Sequence, residues 1–123
     1  LMRGYLEADE LDKALALAER FPDDLCGIEL GRILTLYRLG RLDAAQQALE
    51  TTATDFNHAI KMLLAKNPKA PRQSGYGIAR GSAEEAWEYR LQYLEQWRQA
   101  GALDWLRQAW RSIDKSVKDR GSK

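Results

Sequence analysis

The segment that most restricts the fold runs from Leu36 to Leu49 and reads Leu-Tyr-Arg-Leu-Gly-Arg-Leu-Asp-Ala-Ala-Gln-Gln-Ala-Leu. Its apolar residues recur at helical spacing on both sides of Gly40. A glycine can adopt the left-handed conformation that ends a helix, because it has no Cβ to clash. The pattern therefore predicts one helix, a turn at Gly40 and a second helix that packs back on the first.

Two further segments, Glu10–Ala18 and Ala102–Trp110, repeat the second half of this unit, and each contains the same Leu-Asp pair. The first copy has Asp9 where the middle copy has its turn glycine. The third copy has Leu106 where the middle copy has a small alanine. Copies separated by a period of about 20 to 50 residues indicate stacked helix–turn–helix units, each too small to bury its own apolar face.

Apolar periodicity and stop signals predict an all-α chain of about seven helices in antiparallel pairs. Pro22 ends the second helix, the prolines after Asn67 end the fifth, and Ser82 with Glu85 forms a capping box for the sixth. The predicted helices cover approximately residues 1–8, 10–21, 24–39, 42–53, 56–66, 83–100 and 102–117. We expect a single domain over residues 1–123, with repeat units at 1–66, a basic Pro/Gly loop at 67–82 and a C-terminal helical pair at 83–118.

The turn from Leu39 to Ala45 reads Leu-Gly-Arg-Leu-Asp-Ala-Ala. It resembles the Gly-x-[Tyr/Leu]-x-x-Ala turn of tetratricopeptide repeats, in which the small alanine permits close helix packing. The resemblance implies a short right-handed α-solenoid, whose final helical pair we expect to serve as a capping unit.

A second set of residues extends over the C-terminal half, from Thr54 to Trp110. It consists of Asn57, Leu63, Leu64, Gly81, Ser82, Glu84, Ala86, Tyr89, Leu94, Trp97, Gly101, Ala102, Leu103, Leu106 and Trp110. Their order and spacing resemble the C-terminal segment of the suppression-of-tumorigenicity-seven-like family and of related bacterial tetratricopeptide proteins. That resemblance implies a repeat scaffold with no known catalytic residues.

Charge is distributed unevenly, although the net charge is only +1. Residues 1–55 carry six Lys/Arg and eleven Asp/Glu, whereas residues 56–83 carry five Lys/Arg and no acid. No apolar run approaches the roughly 20 residues that a membrane-spanning helix needs, so we expect no membrane association. The single cysteine is compatible with a cytoplasmic setting, which we expect for this protein. The chain starts at Leu1 inside a predicted helix, and we expect it to be a C-terminal fragment of a longer protein.

Residues with catalytic or metal-binding potential are few. His58 is the single histidine and Cys26 the single cysteine, so a metal site of ordinary ligand spacing is not predicted and an internal disulfide is excluded. We expect Cys26 to be a buried thiol. The loop glycines do not form a nucleotide-binding motif. The sequence therefore predicts no catalytic residue, no cofactor and no enzyme activity.

The four tryptophans all lie in the last two predicted helices, next to several tyrosines and arginines. At helical spacing, two sets of residues are predicted to be core stripes: Trp87–Leu91–Leu94 and Tyr93–Trp97–Ala100. Aromatic rings beside arginines also suit base stacking or partner contacts, so partial exposure of some rings is the alternative.

The favoured interpretation is a non-enzymatic scaffold that binds a protein or peptide segment in a helical groove. The residues expected to contact the partner in this predicted groove are Tyr5, Leu30, Leu34, Tyr37 and Arg38. The basic loop is expected to contribute Lys61, Lys66, Lys69, Arg72, Tyr76 and Arg80.

Two alternatives belong to other functional classes. The basic residues between Lys61 and Arg80 have no compensating acid and suit nucleic acid or another anionic ligand. Alternatively, an uncapped apolar end at Leu1–Tyr5 would favour homo-oligomers. A solvated loop without a ligand remains the simplest explanation of the basic segment.

Overall fold

The chain folds into α-helices connected mostly by short turns. A computed structural model describes residues 2–20, 26–53, 55–72 and 82–121; the side chains of Cys26 and of residues 114–121 are not described. Within these ranges there are seven helices and no strand, which confirms the predicted all-α class. The helices are α1 (Met2–Glu7), α2 (Leu11–Arg20), α3 (Cys26–Arg38), α4 (Leu42–Thr52), α5 (Asn57–Leu64), α6 (Ala83–Gln99) and α7 (Ala102–Gly121).

The helix boundaries lie close to the predicted ones. At the start of α6 the Ser82 hydroxyl accepts a hydrogen bond from the backbone N–H of Glu85 at 3.1 Å, as the capping box predicts. The last helix is longer than expected, because it continues to Gly121 instead of ending near Val117. None of the helices in the described residues combines the length and the apolar character that crossing a membrane requires.

The three repeat copies share one turn geometry. Gly40 and Gly101 have φ angles of 78° and 74°, and Asp9, at the equivalent position of the first copy, has a φ of 61°. After α1 the N–H of Glu10 donates to the carbonyl of Tyr5, and after α3 the N–H of Arg41 donates to the carbonyl of Leu36. Both bonds close the helix end in the same way. The residue before each turn's end therefore has the same left-handed conformation in all three copies, even where the glycine is absent.

Helix α3 lies at the centre of the fold and contacts α1, α2, α4, α6 and α7. Its nearly continuous apolar sequence predicts such a position, because a helix that is apolar on all sides must be covered on all sides. Leu30, Ile33, Leu34 and Thr35 have no exposed surface. The buried Thr35 hydroxyl donates to the carbonyl of Gly31 at 2.6 Å.

Helix α6 packs on α1 and α3 as well as on α5 and α7. Its buried face carries three large aromatic side chains, of Tyr89, Tyr93 and Trp97. The Trp97 indole N–H donates to the Tyr89 hydroxyl at 2.8 Å, and the rings of Tyr89 and Tyr93 stack at 4.5 Å. Helices α6 and α7 thus pack against helices of the N-terminal half as well as against α5, which precedes them in the chain.

One of the two predicted core stripes of α6 is wrong. Tyr93 and Trp97 are buried as expected, but Trp87 and Leu94 are only partly buried and Leu91 is 61% exposed. The reason is that neighbouring helices cover only one side of α6. Its opposite side therefore faces solvent with a leucine on it.

Candidate functional site

The central residues of the predicted groove are buried by the molecule itself. Leu30 and Leu34 are completely inaccessible, because α3 is surrounded by five other helices. The amphipathic pattern cannot distinguish a side of α3 that awaits a partner from one that the C-terminal pair covers. In this structure neither leucine can touch a partner.

Tyr37 and Arg38, the polar residues of the predicted groove, have partners inside the chain. The Tyr37 hydroxyl donates to the carbonyl of Gly101 at 3.3 Å, and its ring lies 5.3 Å from that of Trp105. The Arg38 guanidinium donates to the carbonyl of Leu6 at 2.9 Å and to the carboxylate of Asp9. These two residues therefore fasten α3 to the α6–α7 turn and to the end of α1.

Helices α1 and α6 enclose an open cleft on one side of the described part of the chain. Its larger part has a volume of about 420 Å³ and is lined by Arg3, Glu7, Arg90, Leu91, Gln92, Leu94, Glu95, Gln96 and Gln99. A neighbouring part of about 270 Å³ is lined by Leu6, Glu7, Arg38, Gln96, Gln99 and Ala100. We call both parts together the α1–α6 cleft; Glu7, Gln96 and Gln99 line both.

Gln96 is the exceptional residue of the α1–α6 cleft. Both polar atoms of its side-chain amide, Nε2 and Oε1, are shielded from solvent and have no hydrogen-bond partner. Buried polar groups in folded proteins are nearly always paired, and an unpaired one costs about 1–3 kcal/mol. Such a group in the wall of an open cleft therefore calls for an explanation.

Two further glutamines lie on the same side of α6. Gln92 and Gln99 are exposed and, with Gln96, occupy positions i, i+4 and i+7, which share one face of a helix. This cleft wall, which we call the glutamine stripe, consists of residues 92, 96 and 99. Three uncharged side chains of one helix thus line the cleft, and the amide atoms of one of them, Gln96, are shielded.

The charged groups around the cleft, by contrast, already have partners. Arg3 on α1 is 3.0 Å from Glu7, four residues later, and Glu95 on α6 is 2.6 Å from Arg98. Each of these pairs lies within one helix and is exposed on both sides, so its contribution to stability is small. Because each pair joins one positive and one negative side chain, the two pairs together add little net electric field at the mouth of the cleft.

Arg90 has a structural role at the other end of the cleft. Its guanidinium donates to the carbonyl of Met62 at 2.9 Å and to that of Ala65 at 3.2 Å. Carbonyls at a helix C-terminus lack partners within the helix, and an arginine there also complements the helix dipole. Arg90 therefore caps α5, although it also borders the cleft.

The basic segment is only partly described. Lys61, Lys66, Lys69 and Arg72 are exposed and make no ion pair with any described residue. The remaining two predicted contacts, Tyr76 and Arg80, lie outside the described residues. The structure thus shows part of an uncompensated basic surface, on α5 and after it.

The other predicted features behave as follows. His58 is exposed, and no group of three His, Cys, Asp or Glu side chains within the described ranges is placed to hold a metal ion.

Tyr5 is partly buried, while Met2 and Leu6 on the same helix are only 3% and 2% exposed. In its described residues, then, α1 does not present the bare apolar end that motivated the homo-oligomer prediction.

Sequence reasoning missed the glutamine stripe. The spacing of residues 92, 96 and 99 is visible in the sequence and could have indicated a polar helix face with a common role. What could not be read is that Gln96 is shielded, because this depends on how closely α1 approaches α6.

Comparison with known proteins adds no relative to this picture: no family model, no curated protein and no solved structure matches the chain.

Proposed function

We propose that this protein is a non-enzymatic interaction module, built on a tetratricopeptide-like helical scaffold, which holds a segment of a protein partner in the α1–α6 cleft. The observation that carries the proposal is the unpaired, shielded amide of Gln96 in the wall of an otherwise open cleft. A partner that supplies one hydrogen-bond donor and one acceptor would pair both atoms of this amide and remove the free-energy cost of leaving them unpaired.

The cleft is a better candidate than the predicted groove for a physical reason. Leu30 and Leu34 are fully buried and would become accessible only if helices that pack on α3 moved away. Exposing two large apolar side chains costs about 1.5–3 kcal/mol for each. The cleft demands no such rearrangement, because its mouth is already open.

Exposed leucines provide a matched test. Leu91, 61% exposed, borders the cleft, whereas Leu42, 48% exposed, lies at the start of α4 outside it. A library of displayed peptides is selected on the unmodified protein, and the affinity of each selected peptide is then measured for Leu91→Glu and Leu42→Glu. Loss of an apolar contact predicts about tenfold weaker binding to Leu91→Glu.

The control variant, Leu42→Glu, should bind the selected peptides as the unmodified protein does. Nuclear magnetic resonance gives an independent reading, since cleft binding should shift the backbone signals of α1 and α6. If peptides are selected but affect neither helix, or if both variants bind equally well, the cleft is not the partner site. If no peptide is selected at all, the interaction function itself loses its support.

A second function, binding of nucleic acid or another polyanion, is favoured by one separate observation. Four cationic side chains, Lys61, Lys66, Lys69 and Arg72, are exposed without an acidic partner among the described residues. Release of counterions predicts that binding to a labelled DNA duplex falls steeply as salt rises. Absence of binding at low salt would end this proposal and leave the cleft proposal unaffected.

A further inference from the structure

We infer that the α1–α6 cleft recognises the backbone peptide groups of an extended, uncharged segment, and that the glutamine stripe at residues 92, 96 and 99 is the element that reads them. The inference rests on the proposed function and specifies its partner. It concerns the chemistry of the bound segment, whatever protein the segment belongs to.

The first argument is the chemistry of the glutamine amides. Each offers two N–H donors and one acceptor oxygen, and a peptide group offers one donor and one acceptor in return. Gln96 has neither atom paired, so it lacks a donor and an acceptor at once. An ionised carboxylate would satisfy only the N–H groups and leave the carbonyl oxygen of Gln96 unpaired.

Spacing provides the second argument. Four residues separate Gln92 from Gln96, which corresponds to about 6 Å along a helix axis at a rise of about 1.5 Å per residue. Peptide groups that point to the same side of an extended chain recur every two residues, or about 6.6 Å. An extended segment running along α6 therefore presents peptide groups nearly in step with the first two glutamines, and side-chain torsions can absorb the small difference.

The third argument is the state of the neighbouring charges. Arg3 is paired with Glu7, Arg38 with Asp9 and the Leu6 carbonyl, and Arg90 with two carbonyls at the end of α5. An anionic ligand would have to compete with the carboxylate of Glu7 for Arg3 and with that of Asp9 for Arg38. A neutral segment gains the Gln96 amide without breaking any of these bonds.

Access to Gln96 requires only a local change. The residue is partly exposed through its other atoms, and it lines both parts of the cleft, so its amide lies where they adjoin. Rotation about the side-chain torsions turns the amide into either part. Leu91 and Leu94 line the same cleft and supply apolar contact for the side chains of the bound segment.

The closing experiment begins with the protein without ligand. Replacing Gln96 by Leu removes two unpaired polar atoms and keeps a side chain of similar bulk, so Gln96→Leu should raise the midpoint of thermal unfolding by roughly 3 °C. The matched control is Gln47→Leu, at an exposed position of α4 outside the cleft, which should leave the midpoint nearly unchanged. A lowered midpoint for Gln96→Leu would mean that the amide already has a partner, and would overturn the inference.

Binding is measured with N-acetyl-alanine methylamide, a neutral molecule that carries two peptide groups. Its titration should produce a saturable shift of the Gln96 side-chain NH₂ signals that is insensitive to added salt, and Gln96→Leu should abolish the accompanying shifts on α6 while Gln47→Leu preserves them. Acetate, which only accepts hydrogen bonds, is the anionic probe and should leave the Gln96 signals unmoved. Shifts caused by acetate and not by the neutral probe would overturn the inference.

This result is separable from the proposed function. If selected peptides occupy the cleft but bind Gln96→Leu as tightly as the unmodified protein, the cleft is a partner site and the glutamine stripe does not read it. If the neutral probe shifts Gln96 while selected peptides bind elsewhere, the amide chemistry is right and the partner site is wrong.

Discussion

The two sides of α6 differ in whether their buried polar groups have hydrogen-bond partners. On the inner side Tyr89, Tyr93 and Trp97 are buried, and the polar atom of the Trp97 indole is hydrogen-bonded. On the side that faces α1 across the cleft, Gln96 has two shielded polar atoms with no partner. One helix thus carries a face whose groups are satisfied within the fold and a face with bonding capacity left over.

This difference predicts which substitutions in α6 should change the stability of the protein and which should change its binding. Substitutions on the inner side should change the free energy of unfolding and affect binding only through folding. Substitutions on the cleft side should change binding with little loss of stability, because unpaired groups contribute nothing to hold the fold together. Helix α1 connects the two, since it packs on α3 and also lines the cleft.

The largest effect is expected for Trp97→Ala. Trp97 is completely buried, and removal of a buried tryptophan side chain costs about 3–5 kcal/mol in the free energy of unfolding. Urea titration followed by circular dichroism measures the change. Trp87→Ala is the control on the same helix, because Trp87 is only partly buried and should cost clearly less. Similar losses for both would contradict the assignment of the inner side.

A smaller loss is expected for Tyr89→Phe, which removes only the hydroxyl that accepts from the Trp97 indole at 2.8 Å. The buried N–H of Trp97 would then have no acceptor, which predicts a loss of about 1–3 kcal/mol. Tyr5→Phe removes, from a partly buried tyrosine, a hydroxyl that makes no hydrogen bond among the described residues, and should change stability by less than about 0.5 kcal/mol. Equal effects of the two variants would show that the indole bond does not contribute.

How far the sequence predicts this structure differs between elements. The turn at Gly40 is predictable from local chemistry, and the repeat alignment extends it to Asp9 and Gly101, which do adopt the same left-handed conformation. The position of α6 is not predictable in this way. An aromatic stripe such as Tyr93 and Trp97 indicates burial, but it does not indicate which helices provide the cover.

The candidate site was even less accessible to sequence reasoning. Exposed basic residues such as Lys66 and Lys69 attract attention because charge is visible in composition, whereas an unpaired amide is a property of three-dimensional placement. Arg38 illustrates the converse case, because the Leu6 carbonyl and Asp9 that it contacts lie about thirty residues earlier in the chain, where no local pattern indicates the pairing. The local sequence pattern shows which types of residue are present. Whether a side chain has a hydrogen-bond or ion-pair partner depends on contacts between residues that are distant in sequence.

The approach of α1 to α3 can be tested with two glycines. A Cβ at Gly31 would lie 2.7 Å from the Cγ of Met2, whereas a Cβ at Gly4 would meet no atom within 4 Å. Gly4→Ala should therefore stabilise the protein by about 0.5–1 kcal/mol through helix propensity alone. Gly31→Ala has the same propensity gain but must displace Met2, and overpacking of a buried contact costs about 1–3 kcal/mol.

We therefore expect Gly31→Ala to lower the free energy of unfolding by about 1 kcal/mol, and to shift the signals of α1 in nuclear magnetic resonance spectra. The double variant Gly31→Ala/Met2→Ala removes the atoms that collide, so the two substitutions should be less costly together than the sum of their single effects. Strict additivity would show that Met2 does not touch Gly31, and the cleft would then be bounded by a helix held less closely than the structure has it.

The smallest effect concerns Asp9, which has the left-handed φ of 61° that its glycine counterparts adopt. Asp9→Gly removes the conformational cost of a side chain in that region, about 1 kcal/mol, but also removes the contact with Arg38. The Asp9 side chain is 77% exposed, and an ion pair at such a site contributes about 0–1 kcal/mol. The second term offsets part or all of the first, so thermal unfolding should show a net stabilisation of about 0–1 kcal/mol. Asp9→Ala keeps the strain and loses the contact, and should be the less stable of the two variants.

If Asp9→Gly proved clearly destabilising, the Arg38 contact would be what holds the end of α1 in place. The cleft should then widen in the same variant, and the binding of the neutral probe at Gln96 should change.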